Sequence, residues 1–161
     1  MDLPILWSFD SDWCTERRDR VTGDASRRSP TVGGTVLKRS EVVCFLQSED
    51  LERSERFFQD VLSLPLVSRS PYASVFSIGG ATLRVTRVDG LRPQPFSVFG
   101  WLVQDLRGAL EELRERGTVV LVYEGQDQDD NSVWTTPNGD LVAWFKDPDS
   151  NVLSLTQLAT S

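Results

Sequence analysis

Residues 41–158 repeat themselves at an offset of 55, and that repeat fixes most of what the chain can become. Val43 is matched by Val98, Asp50-Leu51 by Asp105-Leu106, Ser54 by Ala109 and Phe58 by Leu113. Each copy begins with a short apolar run, Val42–Leu46 in the first and Val98–Val103 in the second. Such runs suit strands, and period-two alternation places Glu41, Val43, Phe45 and Gln47 on one face. A helix signal follows each run. In the first copy Asp50 precedes Leu51, Ser54, Phe58, Val61 and Leu62, spaced by threes and fours, and Pro65 stops the pattern. In the second, Asp105 opens a helix bearing Leu106, Ala109, Leu110 and Leu113, and Gly117 closes it after Arg114 and Arg116. Three strand-like runs complete each copy: Leu66–Ser68, Ala73–Ile78 and Thr82–Val88, then Val119–Tyr123, Leu141–Phe145 and Val152–Leu158. Gly79-Gly80 marks a hairpin between the last two runs of the first copy. The expected fold class is α+β, two tandem βαβββ modules over 41–88 and 97–158. Residues 89–96, with Gly90, Pro93 and Pro95, form the linker.

Residues 1–40 show no such period. They are rich in Arg, Asp, Ser, Thr and Gly, and are expected to be a disordered extension. Truncation near Val36 should then leave the melting temperature unchanged. They carry six acidic and seven basic side chains, whereas residues 41–161 carry eighteen and ten. The net charge of −7 therefore belongs to the repeat, and it argues against nucleic acid and anionic membranes as partners. No run approaches the length of a membrane span, and acidic residues surround the short apolar stretch Leu3–Trp7. A cytoplasmic location is expected.

The chain contains no histidine. Imidazole bases, the commonest zinc and non-haem iron ligands and the usual switch near neutral pH are excluded together. The two cysteines make no disulfide framework, and Cys44 reads as a small strand residue. The acidic stretch Glu124–Asp130 lacks the spacing of a calcium loop. Acid–base chemistry would fall to Glu41, Tyr123 or Asp129, and nothing in the spacing selects one, so no catalytic residue is named.

Two motifs carry a family resemblance. The stretch Asp50-Leu51-Glu52-Arg53-Ser54-Glu55-Arg56-Phe57-Phe58-Gln59-Asp60-Val61-Leu62-Ser63-Leu64 resembles the first helix of the vicinal oxygen chelate superfamily. That superfamily includes glyoxalase I, bleomycin resistance proteins and extradiol dioxygenases. Its usual pattern is D-L-x-x-S/A-x-x-F-Y-x-D-x-L-G-L, from which the chain departs with Phe58 for Tyr and Ser63 for Gly. Phe145-Lys146-Asp147-Pro148-Asp149-Ser150-Asn151 is similar to the family turn F-x-D-P-D-G-N, with Ser150 for Gly. Gln128-Asp129, Trp134 and Pro137 resemble a loop of its bacterial members. The resemblance implies paired modules whose sheets curl into a U-shaped cavity. It also implies metal ligands on the first and last strand of each module, positions held here by Val43, Arg84, Val98 and Ser154. Valine offers no lone pair and arginine repels a cation, so no metal and no other cofactor is expected.

Alternation over the cavity strands yields a candidate ligand-binding set: Phe45, Arg84, Val98, Gly100, Trp134, Trp144 and Ser154. An apolar and aromatic cleft with hydroxyls and one guanidinium suits a small organic ligand. The leading expectation is a metal-independent small-molecule binding protein of the bleomycin-resistance kind, with a homodimer compatible. Two alternatives stay open: a metal-dependent lyase, isomerase or dioxygenase of the same superfamily, or a protein-interaction module on the same fold.

Overall fold

A computed structural model of the chain describes Leu37 and residues 40–159. The disorder and truncation expectations for residues 1–40 otherwise lie outside the described residues. Among the described residues, eight strands and two α-helices follow the repeat. In the first module β1 (Val43–Ser48), α1 (Leu51–Arg56), β2 (Leu66–Arg69), β3 (Ala73–Ile78) and β4 (Ala81–Arg87) follow in order. The second contains β5 (Ser97–Leu102), α2 (Leu106–Glu115), β6 (Trp134–Thr135), β7 (Leu141–Lys146) and β8 (Val152–Gln157). Each module makes one mixed four-stranded sheet, ordered β1-β4-β3-β2 and β5-β8-β7-β6. In both, the first strand runs parallel to the last, and the remaining pairs are antiparallel. The architecture is the expected tandem βαβββ arrangement.

Both helices begin at an aspartate cap. Asp50 accepts the Arg53 N–H at 3.1 Å and Asp105 accepts the Gly108 N–H at 3.0 Å, satisfying donors that the first turn cannot. The Arg53 N–H, with the nearby Arg53 charge, holds the Asp50 carboxyl below its ordinary value. α1 does not simply stop before Pro65. It passes into a π-helical turn over Phe57–Val61, where the Leu62 N–H reaches back to the Phe57 carbonyl at 3.1 Å. The wider turn keeps Phe57 and Phe58 pointed inward, and Phe58 is fully buried against Phe76. One apolar cluster unites the modules: Phe58, Phe76, Leu83 and Val85 from the first with Leu110, Phe145, Leu153 and Leu155 from the second.

The second sheet departs from expectation at its outer edge. Val119–Tyr123 does not form a full strand. Val120 bridges Phe145, with Lys146 N–H on the Val119 carbonyl and Leu121 N–H on the Trp144 carbonyl. The chain then leaves the sheet and returns as β6, which pairs with the other end of β7. Residues 122–133 are thus a loop set into an interrupted edge strand. Trp134, expected in a loop, lies on β6.

A buried polar turn ties the modules together. Asp149, between β7 and β8, accepts hydrogen bonds from Ser48 Oγ at 2.7 Å, Ser54 Oγ at 3.1 Å, the Glu49 N–H at 3.1 Å and Arg53 at 2.6 Å. Asn151 Nδ2 donates to the Gln47 carbonyl at 2.9 Å and to Asp147 at 2.7 Å. Burial pushes the Asp147 carboxyl up to about 6, against the lowering effect of the Asn151 and Asp149 N–H groups it accepts; the Asp149 charge adds to the rise. On the other side of the module junction Arg116 donates to the carbonyls of Asp60 and Val61, to Ser63 Oγ and to Glu112.

Candidate functional site

Strand alternation separates a helix-side face from an open one. Leu46, Leu83, Val85, Phe145, Leu153 and Leu155 are buried beneath the helices. Their neighbours along each strand point the other way. On the first sheet Phe45 lies beside Arg84, Val43 beside Thr82 and Gln47 beside Thr86. On the second, Gly100, Ser154 and Trp144 stand abreast in one row across β5, β8 and β7. Trp134 stacks on Trp144 at 6.1 Å and 27°, and Tyr123 meets the same ring edge-on at 5.3 Å. Six of the seven expected residues therefore fall into two groups, one on each sheet. Val98 sits within a bulge of β5 between Ser97 and Phe99, and is 37% exposed.

Gly100 has a specific steric role. A Cβ there would lie 2.2 Å from Ser154 Oγ and 2.8 Å from the Ser154 carbonyl oxygen. The missing side chain leaves room for a hydroxyl pair, Ser97 Oγ on Ser154 Oγ at 2.9 Å. The face thus offers two hydroxyls beside an aromatic group.

The four positions at which the resemblance implies metal ligands do not suit one. Val43 and Val98 have no donor atom, Ser154 has a neutral hydroxyl engaged with Ser97, and Arg84 is a cation. Among the described residues no three of Cys, Asp and Glu gather at one point. The residues present do not fit a divalent ion.

Charge on the strands is one-sided. Among the described residues no strand contains Asp or Glu, and the charged residues on strands are Arg69, Arg84, Arg87 and Lys146. Arg69 turns to the helix side, 3.5 Å from the buried Glu55, which also accepts Ser74 Oγ at 2.5 Å. Arg87 lines a polar crevice of about 430 Å³ with Glu49, Asp50, Glu52 and Glu55. Arg84 and Lys146 remain on the open face.

The loop that precedes β6 is braced by its own side chains. The Gln128 side chain accepts the Tyr123 N–H at 2.7 Å and donates to the carbonyls of Leu121 and Ser132. Asp129 binds Arg107 at 2.6 Å and accepts the N–H groups of Asn131 and Val133. Burial raises the Asp129 carboxyl, but these donors outweigh it and hold it below its ordinary value. Asp129 is thus a loop brace and Tyr123 a ring neighbour of Trp144. The sequence singled out neither Gln128 nor Arg107 for this task; their partners follow from the fold alone. An apolar crevice of about 290 Å³ also lies on the helix side, between Val61–Leu64, Trp101 and α2.

Solved structures share this architecture. A lactoylglutathione lyase from Agrobacterium tumefaciens superposes with a TM-score of 0.57 at 18% identity, covering 74% of this chain and 93% of that one. A glyoxalase/bleomycin resistance protein/dioxygenase from Alicyclobacillus acidocaldarius gives 0.58 at 16% identity, covering 76% and 93%. A glyoxalase-related enzyme from Fulvimarina pelagi gives 0.57 at 21% identity, covering 74% and 88%. At these identities the likeness concerns the fold. No curated protein matches the chain. Residues 41–155 match the sequence profile of the Glyoxalase/Bleomycin resistance protein/Dioxygenase superfamily, and the chain belongs to that superfamily.

Proposed function

We propose that the chain is a small-molecule binding protein of this superfamily that works without a divalent metal or other cofactor, its ligand lying on the open strand face. One observation carries the reading: the donor set at Val43, Arg84, Val98 and Ser154 cannot coordinate a cation. Aromatic rings, hydroxyls and a guanidinium on one face are the mixture that holds a small organic molecule. The net charge of −7 disfavours nucleic acid as the partner. Among the described residues no helix is long and apolar enough to cross a membrane, and a cytoplasmic location belongs to the same reading. Phe45 and Leu102 are 53% and 68% exposed on this face, which favours a second copy of the chain covering it. Metal analysis of protein purified without a tag tests the central claim. Substoichiometric metal together with ligand-induced thermal shifts is expected; stoichiometric Fe, Mn, Ni or Zn would overturn it.

A further inference from the structure

We infer that the ligand of the open strand face carries an oxyanion, a carboxylate or a phosphate, held by the guanidinium of Arg84. The inference rests on the reading that this face binds a small molecule, and it adds the ligand's charge. Residues 41–161 hold 18 acidic side chains, yet among the described residues none stands on a strand. The face beneath Arg84 is therefore free of strand-borne negative charge in a protein that is acidic overall.

Four described arginines have side chains that meet no partner, and of these Arg84 is half-buried whereas Arg56, Arg87 and Arg92 are exposed. Arg53, Arg69, Arg107 and Arg116 each meet a carboxylate. Arg114 donates to the Asn131 carbonyl at 2.7 Å. Arg84 makes no hydrogen bond or ion pair with any described residue, although it is half-buried. Its neighbours across the sheet are Phe45 on β1 and Val75 on β3, and along its own strand Thr82 and Thr86 share its face. None of the four is an acceptor carrying charge.

A guanidinium presents five N–H donors in a planar fork that fits two oxygens of a carboxylate or phosphate side by side. Held half out of water with apolar neighbours, it gains most from an acceptor that also brings negative charge. The hydroxyls of Thr82 and Thr86 beside it supply further donors. A neutral ligand would leave the guanidinium's charge unmatched.

Three probes of one shape test this with the full chain: benzoate, phenyl phosphate and neutral benzamide, with affinities measured by calorimetry at low salt. Benzoate or phenyl phosphate is expected to bind more tightly than benzamide, and whichever is stronger identifies the oxyanion. Arg84→Gln should weaken that anion about ten-fold or more and leave benzamide unchanged. Arg84→Lys keeps the charge without the fork and should give an intermediate loss; it replaces the glutamine variant if that one does not fold. Equal anion affinity in wild type and variants, or benzamide binding as tightly as the anions, would overturn the inference. Binding of benzamide alone would remove the oxyanion while leaving the proposed function standing. Binding of none of the three would remove both.

Discussion

Replacing Asp149 with alanine removes the acceptor around which the modules are joined. Its side chain is only 2% exposed and takes four hydrogen bonds from residues about a hundred positions away. Without it, the Glu49 N–H and the Ser48 hydroxyl lose their acceptor inside the protein. Ser54 Oγ retains Ser48 Oγ at 2.8 Å, and Arg53, 43% exposed, can turn to water. A buried donor left unsatisfied costs about 1–3 kcal/mol. The fully buried Ser48 hydroxyl and the part-buried Glu49 N–H together outweigh one compensation, the relief of the charge that Asp149 places beside Asp147. The expected net loss is about 3–4 kcal/mol, within the range for breaking a buried pair. That is a large fraction of the roughly 5–15 kcal/mol of a typical domain. Urea unfolding of Asp149→Ala should show a lower midpoint with an unchanged slope. Asp149→Asn keeps one acceptor oxygen and should lose about half as much. A loss below about 1 kcal/mol in the alanine variant would refute the claim that this turn holds the modules together.

Three other outcomes are expected. The folded chain holds the Asp147 proton more tightly than the unfolded chain does, because its carboxyl is raised to about 6. Its contribution is thus fully present below the ordinary carboxylate value and lost as pH rises through about 6, by about 3 kcal/mol. Asp50 and Asp129, both lowered, act in the opposite sense as pH falls, so the readout is the difference between wild type and Asp147→Asn in denaturant unfolding from pH 4 to 7. Gly100→Ala forces a methyl into Ser154 and should cost about 2–3 kcal/mol, seen as a lower melting temperature; an unchanged value would mean that β5 and β8 separate freely there. Ser150 adopts φ of 65° with its side chain exposed, so Ser150→Gly should gain about 0.5–1 kcal/mol in the same assay, and a loss would show that the serine stabilises the turn.

The parts of the fold legible in the sequence are those governed by near neighbours. The aspartate caps at Asp50 and Asp105, the hairpin at Gly79-Gly80 and the strand alternation around Phe45 and Arg84 each depend on a few adjacent residues. Ser63 and Ser150 replace glycine in the two motifs, yet both take the positive φ that glycine favours, 56° and 65°. At Ser63 the contact from Arg116 overrides the local preference, and at Ser150 the N–H is held within the turn by the Asp147 carbonyl at 3.0 Å. What escaped is set by partners that no periodic pattern marks, distant for Asp149 and within the loop for Gln128. Nothing periodic announces that Asp149 will meet Ser48 and Ser54, or that Gln128 will brace the loop before Trp134. The π-helical turn at Phe57–Val61 follows from seating Phe58 in the shared core, and the bulge at Val98 from pairing β5 with β8. Among the site residues, alternation gave the face, whereas the row of Gly100, Ser154 and Trp144 required the register.

The interrupted edge of the second sheet bears on how this protein avoids aggregation. Exposed strand edges invite another chain to add on, and natural sheets blunt them by shortening or bulging. Here β6 offers two residues, and β2 offers four with a register shift between Leu66 and Ser68. Neither gives an incoming strand a ladder long enough to hold. The longer edge strands, β1 and β5, lie against each other within the chain. Growth of an intermolecular sheet would first have to part that seam. The polar turn at Asp149, anchored on Ser48 at the end of β1, therefore guards solubility as well as module alignment.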